Sequence, residues 1–201
     1  MVLAFNSASS LAKLIQKKEI SSRELTDYFI SRIERFDGGL NAVVVRDFER
    51  AREAADAVDA ALARGEIVGP LHGLPMTIKE YYDIACLPTT WGNPDNKGFV
   101  ATEDAVTVAR LKAAGAHFMG KTNIGFGDYQ SFNAIYGTTN NPWDLNRTPG
   151  GSSGGPAAAL AAGLTALEAC TDIGGSVRIP AHYCGVYGHK TTQGIVASGG
   201  R

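Results

Sequence analysis

The sequence is short of several things that would assign it to a class at once. It has only 3 cysteines in 201 residues, Cys86, Cys170 and Cys184, with no C-x-x-C pair among them. An odd, unpaired set excludes a disulfide framework and a thiolate zinc site, and it fits a reducing compartment. Each is read as a small buried hydrophobe rather than a nucleophile. Charge bias is also missing, since 19 Lys and Arg against 20 Asp and Glu leave a net charge of −1. A nucleic-acid grip built on overall charge is thereby excluded. Long apolar runs are missing too. The most apolar stretch, Ala157 to Leu167, is interrupted by Gly163 and closed by Glu168, well short of the ~20 residues a membrane-spanning helix needs. The first residues, Met1 to Asn6, carry no basic lead of a secretory signal. The expectation is a cytoplasmic protein with no membrane and no nucleic-acid partner. Hydrophobic residues at 44% suffice for a core and exclude disorder throughout.

What the chain does have is glycine, 24 residues, or about 12% against a usual ~7%, and much of it clusters between Gly150 and Gly175. The length predicts one domain over 1–201, with helices over 1–65 and an α/β core over 66–201. Ser21-Ser22-Arg23-Glu24 has capping-box spacing, and Leu25, Phe29, Ile33 and Phe36 then form one apolar stripe. A second helix is expected from Asp47 to Arg64, stopped by Gly65. After the turn Gly73-Leu74-Pro75, Met76-Thr77-Ile78 reads as a short buried strand running into Lys79. Thr102-Glu103-Asp104 is expected to cap a helix ending at Gly115, followed by a strand over Ala116 to Met119. A loop-rich segment from Asn123 to Gly155, a helix from about Pro156 and a strand near Ala166 to Cys170 complete an alternating α/β pattern.

One motif misleads. Gly115-Ala116-His117-Phe118-Met119-Gly120-Lys121-Thr122 fits the phosphate-loop spacing G-x-x-x-x-G-K-T. That loop needs a strand before it and a helix after it; here a helix precedes and Asn123-Ile124-Gly125 is a poor helix start. A glycine helix stop followed by a buried strand is the simpler reading.

Three features carry chemistry. In Thr171-Asp172-Ile173-Gly174-Gly175-Ser176 two residues without side chains precede a serine, so backbone N–H groups can turn toward one point and hold an oxyanion. In Gly150-Gly151-Ser152-Ser153-Gly154-Gly155 glycines flank two serines, as suits a tight backbone presenting hydroxyls. Lys79 ends an apolar strand, where burial would lower its pKa and make a neutral amine available as a base. Each feature alone has a bland alternative: a glycine turn with a solvent-facing serine, a linker, and an exposed strand-end lysine beside Glu80 and Asp83.

Taken together, the stretch from Gly150 to Lys190 resembles the signature block of the amidase signature family, serine amidohydrolases that cleave carboxamides. The matching residues are Pro149 to Gly155, Ala157 to Gly163, Thr171 to Arg178, Pro180-Ala181 and Cys184 to Gly188, with 24 positions between Ser152 and Ser176. Gly73 to Lys79, Thr89 to Gly92 and Asn141-Pro142-Trp143 fit upstream. The resemblance implies a mixed β-sheet core covered by helices and a triad in which Ser176 is the nucleophile. Ser152, after a cis peptide bond from Gly151, would relay the proton, and Lys79 would be the base. It implies an oxyanion hole from the amides of Ile173, Gly174, Gly175 and Ser176, and a supporting role for Ser153, Asp172 and Arg178. No cofactor and no metal are implied. Glu80 stands where the family often has aspartate, and His189-Lys190-Thr191-Thr192 replaces its usual Lys-Pro-Thr run. Family members are longer, so only the N-terminal part of the full domain is expected here, ending at Gly199-Gly200-Arg201. The partners expected are a small-molecule amide and either the remaining C-terminal half or a second copy. Specificity is expected in loops such as Trp91 to Phe99 and Tyr129 to Tyr136. Three other functions remain open at this point: the amidase subunit of tRNA-dependent transamidation, a Ser-His hydrolase using His182 or His117, and a non-enzymatic scaffold. Asn123 to Gly127 lacks the acidic residue associated with the transamidation subunit, which favours a general amidase.

Overall fold

The computed structural model describes residues 3–127 and 131–196. Its helices and strands in chain order are α1 (Ala8–Gln16), α2 (Ser22–Phe36), β1 (Val43–Arg46), α3 (Phe48–Ala63), β2 (Pro75–Lys79), α4 (Val106–Ala113), β3 (His117–Thr122), β4 (Phe132–Asn133), β5 (Gly137–Thr138), α5 (Gly154–Ala161), β6 (Glu168–Ala169) and α6 (Arg178–Cys184). The main sheet has the order β1-β3-β2-β6. It is mixed: β2 runs parallel to both β3 and β6, while β1 is antiparallel to β3. Helices cover this sheet, as the resemblance implies.

Helix α2 starts where the sequence says it should. Ser21 Oγ accepts from the Glu24 N–H at 3.0 Å and the Glu24 carboxylate accepts from the Ser21 N–H at 2.8 Å, a closed capping box, which typically stabilises a helix by about 1 kcal/mol. Leu25, Phe29 and Ile33 of α2 are fully buried and pack with Leu11 and Ile15 of α1 against Met119 of the sheet and Leu74, just before β2. On the other side of the sheet Met76, Ile78 and Phe118 pack with Val108 of α4 and Ile84. Because side chains alternate along a strand, Thr77 and Lys79 point away from the second cluster, toward α5. Gly155 of α5 lets that helix approach β3 closely: a Cβ there would lie 2.4 Å from the Asn123 N.

Five expectations change. The first sixty residues are not purely helical, since β1 lies between α2 and α3 and pairs with β3, as Val43 does with Thr122 and Arg46 with Gly120. The helix before Gly115 begins at Val106, with Ala105 as its N-cap and no acidic residue in its first turn. The Asp104 carboxylate accepts instead from the Ala85 N–H at 2.9 Å and pairs with Lys112 at 2.7 Å. The strand expected over Ala116 to Met119 extends to Thr122 and so takes in Gly120, Lys121 and Thr122 of the phosphate-loop match. Both ends of that match contradict a nucleotide loop, because Gly115, at φ +97°, closes α4, and among the described residues the next element after β3 is the strand β4 rather than a helix. The segment expected to be loop-rich holds the small β4–β5 hairpin, and α6 follows the second glycine turn. Tyr129, within a loop expected to set specificity, and the terminal Gly199-Gly200-Arg201 lie outside the described residues. No helix among the described residues is long and apolar enough to cross a membrane.

Candidate active site

The site grows from the end of β2. Lys79 is fully buried, and its Nζ donates to two hydroxyl oxygens, Ser152 Oγ and Thr171 Oγ1, each at 2.8 Å. Burial lowers its pKa to about 8, with partial opposition from Cys170 and Asp172. An amine there gives up its proton more readily than an ordinary lysine, and it is in hydrogen-bond contact with an alcohol.

Ser152 follows a cis peptide bond from Gly151. Its turn is tied down on several sides: Gly150 O accepts from Ser131 Oγ at 2.5 Å, and Ser152 O accepts from the Gly125 N–H at 2.9 Å. At Gly154 a Cβ would lie 1.6 Å from Ser131 Oγ, so only glycine fits beneath that turn. The Ser153 N–H donates to Ser176 O at 3.1 Å, which joins the two glycine-rich turns directly. Ser153 is itself buried, and its hydroxyl donates weakly to Thr171 O at 3.4 Å.

The second turn is shaped by Asp172. Its side chain, 2% exposed, accepts from the N–H groups of Gly175 (2.8 Å), Val177 (3.0 Å) and Arg178 (3.3 Å), and from Arg178 Nε and Nη2 at 3.0 and 2.9 Å. The Arg178 guanidinium, together with the three amides, holds its carboxyl well below the usual carboxylate range. Gly175 sits at φ +125° with Ile179 against it, where a Cβ would be 2.7 Å from Ile179 Cδ1. Ser176 emerges from this turn nearly buried, at 8% exposure. Among the described residues its hydroxyl makes no hydrogen bond, and neither do the amides of Ile173, Gly174 and Ser176. The Gly175 amide, expected with them as an oxyanion donor, is already engaged by Asp172. The Ile173 side chain, 99% exposed, marks this turn as a surface feature.

The structure therefore brings Lys79 to Ser152, joins the Ser153 and Ser176 turns through their backbones, and pairs Asp172 with Arg178. It does not link the Ser176 hydroxyl to Ser152. Neither histidine proposed for a Ser-His reading touches Ser176: His117 is buried with Nε2 at 2.9 Å from Thr26 Oγ1, and His182 is exposed on α6. Thr171 was not assigned a role on the sequence, although it lies inside the quoted motif. Its signal would have been its position one residue before Asp172. Among the described residues no group of three or more His, Cys, Asp or Glu side chains could hold a metal ion.

Comparison with known proteins gives four findings. The family profile described as Amidase matches residues 24–201. The chain is 46% identical over 200 residues to a glutamyl-tRNA(Gln) amidotransferase subunit of Moorella thermoacetica, covering 98% of this chain and 41% of that protein. Among solved structures it is similar to fatty acid amide hydrolase, with a TM-score of 0.92 at 31% identity over 98% of this chain and 35% of that one. A bacterial aryl acylamidase of the amidase signature enzymes matches with a TM-score of 0.82 at 34% identity over 88% and 37%. The chain spans about two fifths of the length of the curated relatives it matches.

Proposed function

Because this chain belongs to the amidase signature family, we propose that it carries the reacting groups of a serine amidohydrolase, which cleaves the C–N bond of a carboxamide through an acyl-enzyme. Ser176 Oγ attacks the carbonyl carbon. Its proton passes to Ser152 Oγ as Ser152 gives its own proton to the neutral Lys79 amine. The carbonyl oxygen takes up negative charge between the amides of Ile173, Gly174 and Ser176, with Gly175 held in place by Asp172; one such donor typically contributes about 3 kcal/mol. The protons then return through Ser152 to the leaving nitrogen, the C–N bond breaks, and water releases the acid by the same route. The open gap between the Ser152 and Ser176 hydroxyls is no objection, because catalytic hydrogen bonds often close only when substrate is bound.

The observation that carries this reading is the 2.8 Å contact between a fully buried lysine and the Ser152 hydroxyl. Trapping with a serine-directed fluorophosphonate, followed by mass mapping, tests it. The expected label is on Ser176, absent in Ser176→Ala. Label on another serine, or none, overturns the reading.

A second reading is favoured by one observation, the 46% identity to a glutamyl-tRNA(Gln) amidotransferase component: the amidase step of tRNA-dependent transamidation, in which the amide is glutamine and the released ammonia passes to a partner. Asn123 to Gly127 contains no acidic residue, which supports the general amidase. Co-purification with a tRNA-binding partner, together with glutamine-selective turnover, would reverse the preference.

A further inference from the structure

Lys79 has two hydroxyl neighbours, and the triad uses only one of them. We propose that Thr171 is a positioning residue: its hydroxyl oxygen accepts one N–H of Lys79 and so turns the lone pair of the amine toward Ser152 Oγ. The inference rests on the amidohydrolase reading and goes beyond it.

A neutral primary amine has two N–H bonds and one lone pair. To act as a base toward Ser152, that lone pair must face the Ser152 hydroxyl, so the contact at 2.8 Å to Thr171 Oγ1 must be an N–H donated to Thr171. The two neighbours cannot exchange roles. Ser152 belongs to the turn that continues through the Ser153 N–H to Ser176 O. Thr171 lies instead on the run leaving β6, braced by the Tyr82 hydroxyl on Cys170 O at 2.9 Å and by the amides and guanidinium gathered on Asp172. Full burial of Lys79 leaves no bulk water to replace Thr171 as acceptor. With Thr171 absent, a single contact would remain and the amine could turn about its Cε–Nζ bond, which spreads the lone pair over unproductive directions.

The same contact acts on the protonated lysine. A hydrogen bond from an ammonium is stronger than one from an amine, so losing the acceptor disfavours the ammonium more. The acid limb of the pH profile should then move down from its position near 8. This separates positioning from general support of the fold, which would leave the midpoint in place.

The test is the pH dependence of Ser176 labelling by the fluorophosphonate, in which the Ser176 oxygen–phosphorus bond forms and fluoride leaves. In Thr171→Val the plateau rate should fall at least about tenfold and the midpoint should move down by roughly half a unit or more. Thr171→Ser should restore both. Thr171→Ala, which only removes atoms, serves where valine packs badly. A Thr171→Ala or Thr171→Val protein that labels at the normal rate and midpoint overturns the role of Thr171 while leaving the triad intact. So does a folded Thr171→Ser protein that fails to recover the rate. Wild-type protein that does not label on Ser176 overturns the triad reading and the positioning role with it.

Discussion

Two lysines, one on each face of the sheet, invite comparison. Lys79 lies on β2 opposite Thr122, and Lys121 on the adjoining β3 lies opposite Ile78, so they point to opposite sides. Both are fully buried, and desolvation lowers both to a pKa of about 8. By those measures they are twins. They differ in what accepts their protons. Lys79 meets two alcohols, one of them a short backbone link from the Ser176 turn. Lys121 donates to the Pro88 carbonyl and to Thr89 Oγ1 at 2.8 Å, within the field of Glu80 and Asp83. A carbonyl has no proton to give, and the Thr89 hydroxyl, unlike Ser152, does not belong to a turn joined to Ser176, so Lys121 is a cross-brace that ties β3 to the loop entering Trp91. Burial and a lowered pKa do not identify a base; what its neighbouring alcohol is joined to does. The sequence motif that singled out a lysine by spacing, G-x-x-x-x-G-K-T, singled out the brace.

The largest break in the symmetry is expected from Lys79→Ala, which should slow Ser176 labelling by about a thousandfold. Lys121→Ala should leave the rate per folded molecule within about twofold. A comparable collapse in both would remove the distinction. Stability should respond the other way: Lys121→Ala leaves the Pro88 carbonyl without its partner and opens a cavity, at a cost of about 2–4 kcal/mol, measurable by urea denaturation. His117, on the same strand as Lys121, extends the comparison to a third buried base. Desolvation holds it at about 4 against an ordinary 6.5. A histidine whose folded pKa is depressed contributes stability above the unfolded value and loses it as pH falls from 6.5 toward 4, by up to about 3 kcal/mol. The pH dependence of unfolding should therefore flatten over that window in His117→Gln, and an unchanged slope would show that His117 is not held neutral. The smallest effect is a shape rather than a loss: labelling should rise with pH to half its plateau near 8, since only neutral Lys79 is a base, and Lys121→Ala should keep that midpoint. A midpoint that follows Lys121 would reverse the assignment.

Much of the fold was legible because its signals are local. The Ser21 box, the apolar stripe of α2 at Leu25, Phe29 and Ile33 (though not Phe36, which is exposed), the Asp47 to Gly65 helix and the Met76 to Lys79 strand each depend on neighbours in sequence. The failures share a cause as well. β1 is four residues long, with an irregular register at Val43 to Val45, and is a strand only because β3 lies beside it. α6 is short and carries Pro180 in its first turn, where proline is tolerated but looks from sequence like a stop. The acids at 103–104 had the composition of a helix start, yet Asp104 was drawn to the Ala85 amide and to Lys112. In the site, the serines and glycines were legible as spacing, while Thr171 passed as part of a motif and the Gly175 amide was counted as available when Asp172 already held it.

The sequence alone determined which groups are present and which turns can form: a lysine closing an apolar strand, hydroxyls set among glycines, an aspartate able to gather the amides that follow it. These are properties of a residue and a few neighbours, governed by backbone freedom and local hydrogen bonding. Only the tertiary structure decided which lysine meets which alcohol. The contacts of Lys79 reach across 73 and 92 residues; the one to Thr171 exists because parallel pairing of β2 with β6 brings the end of one strand alongside the end of the other, and the one to Ser152 comes from the turn that leads into α5. No short stretch of sequence encodes that register, since the core that enforces it is assembled from both ends of the chain.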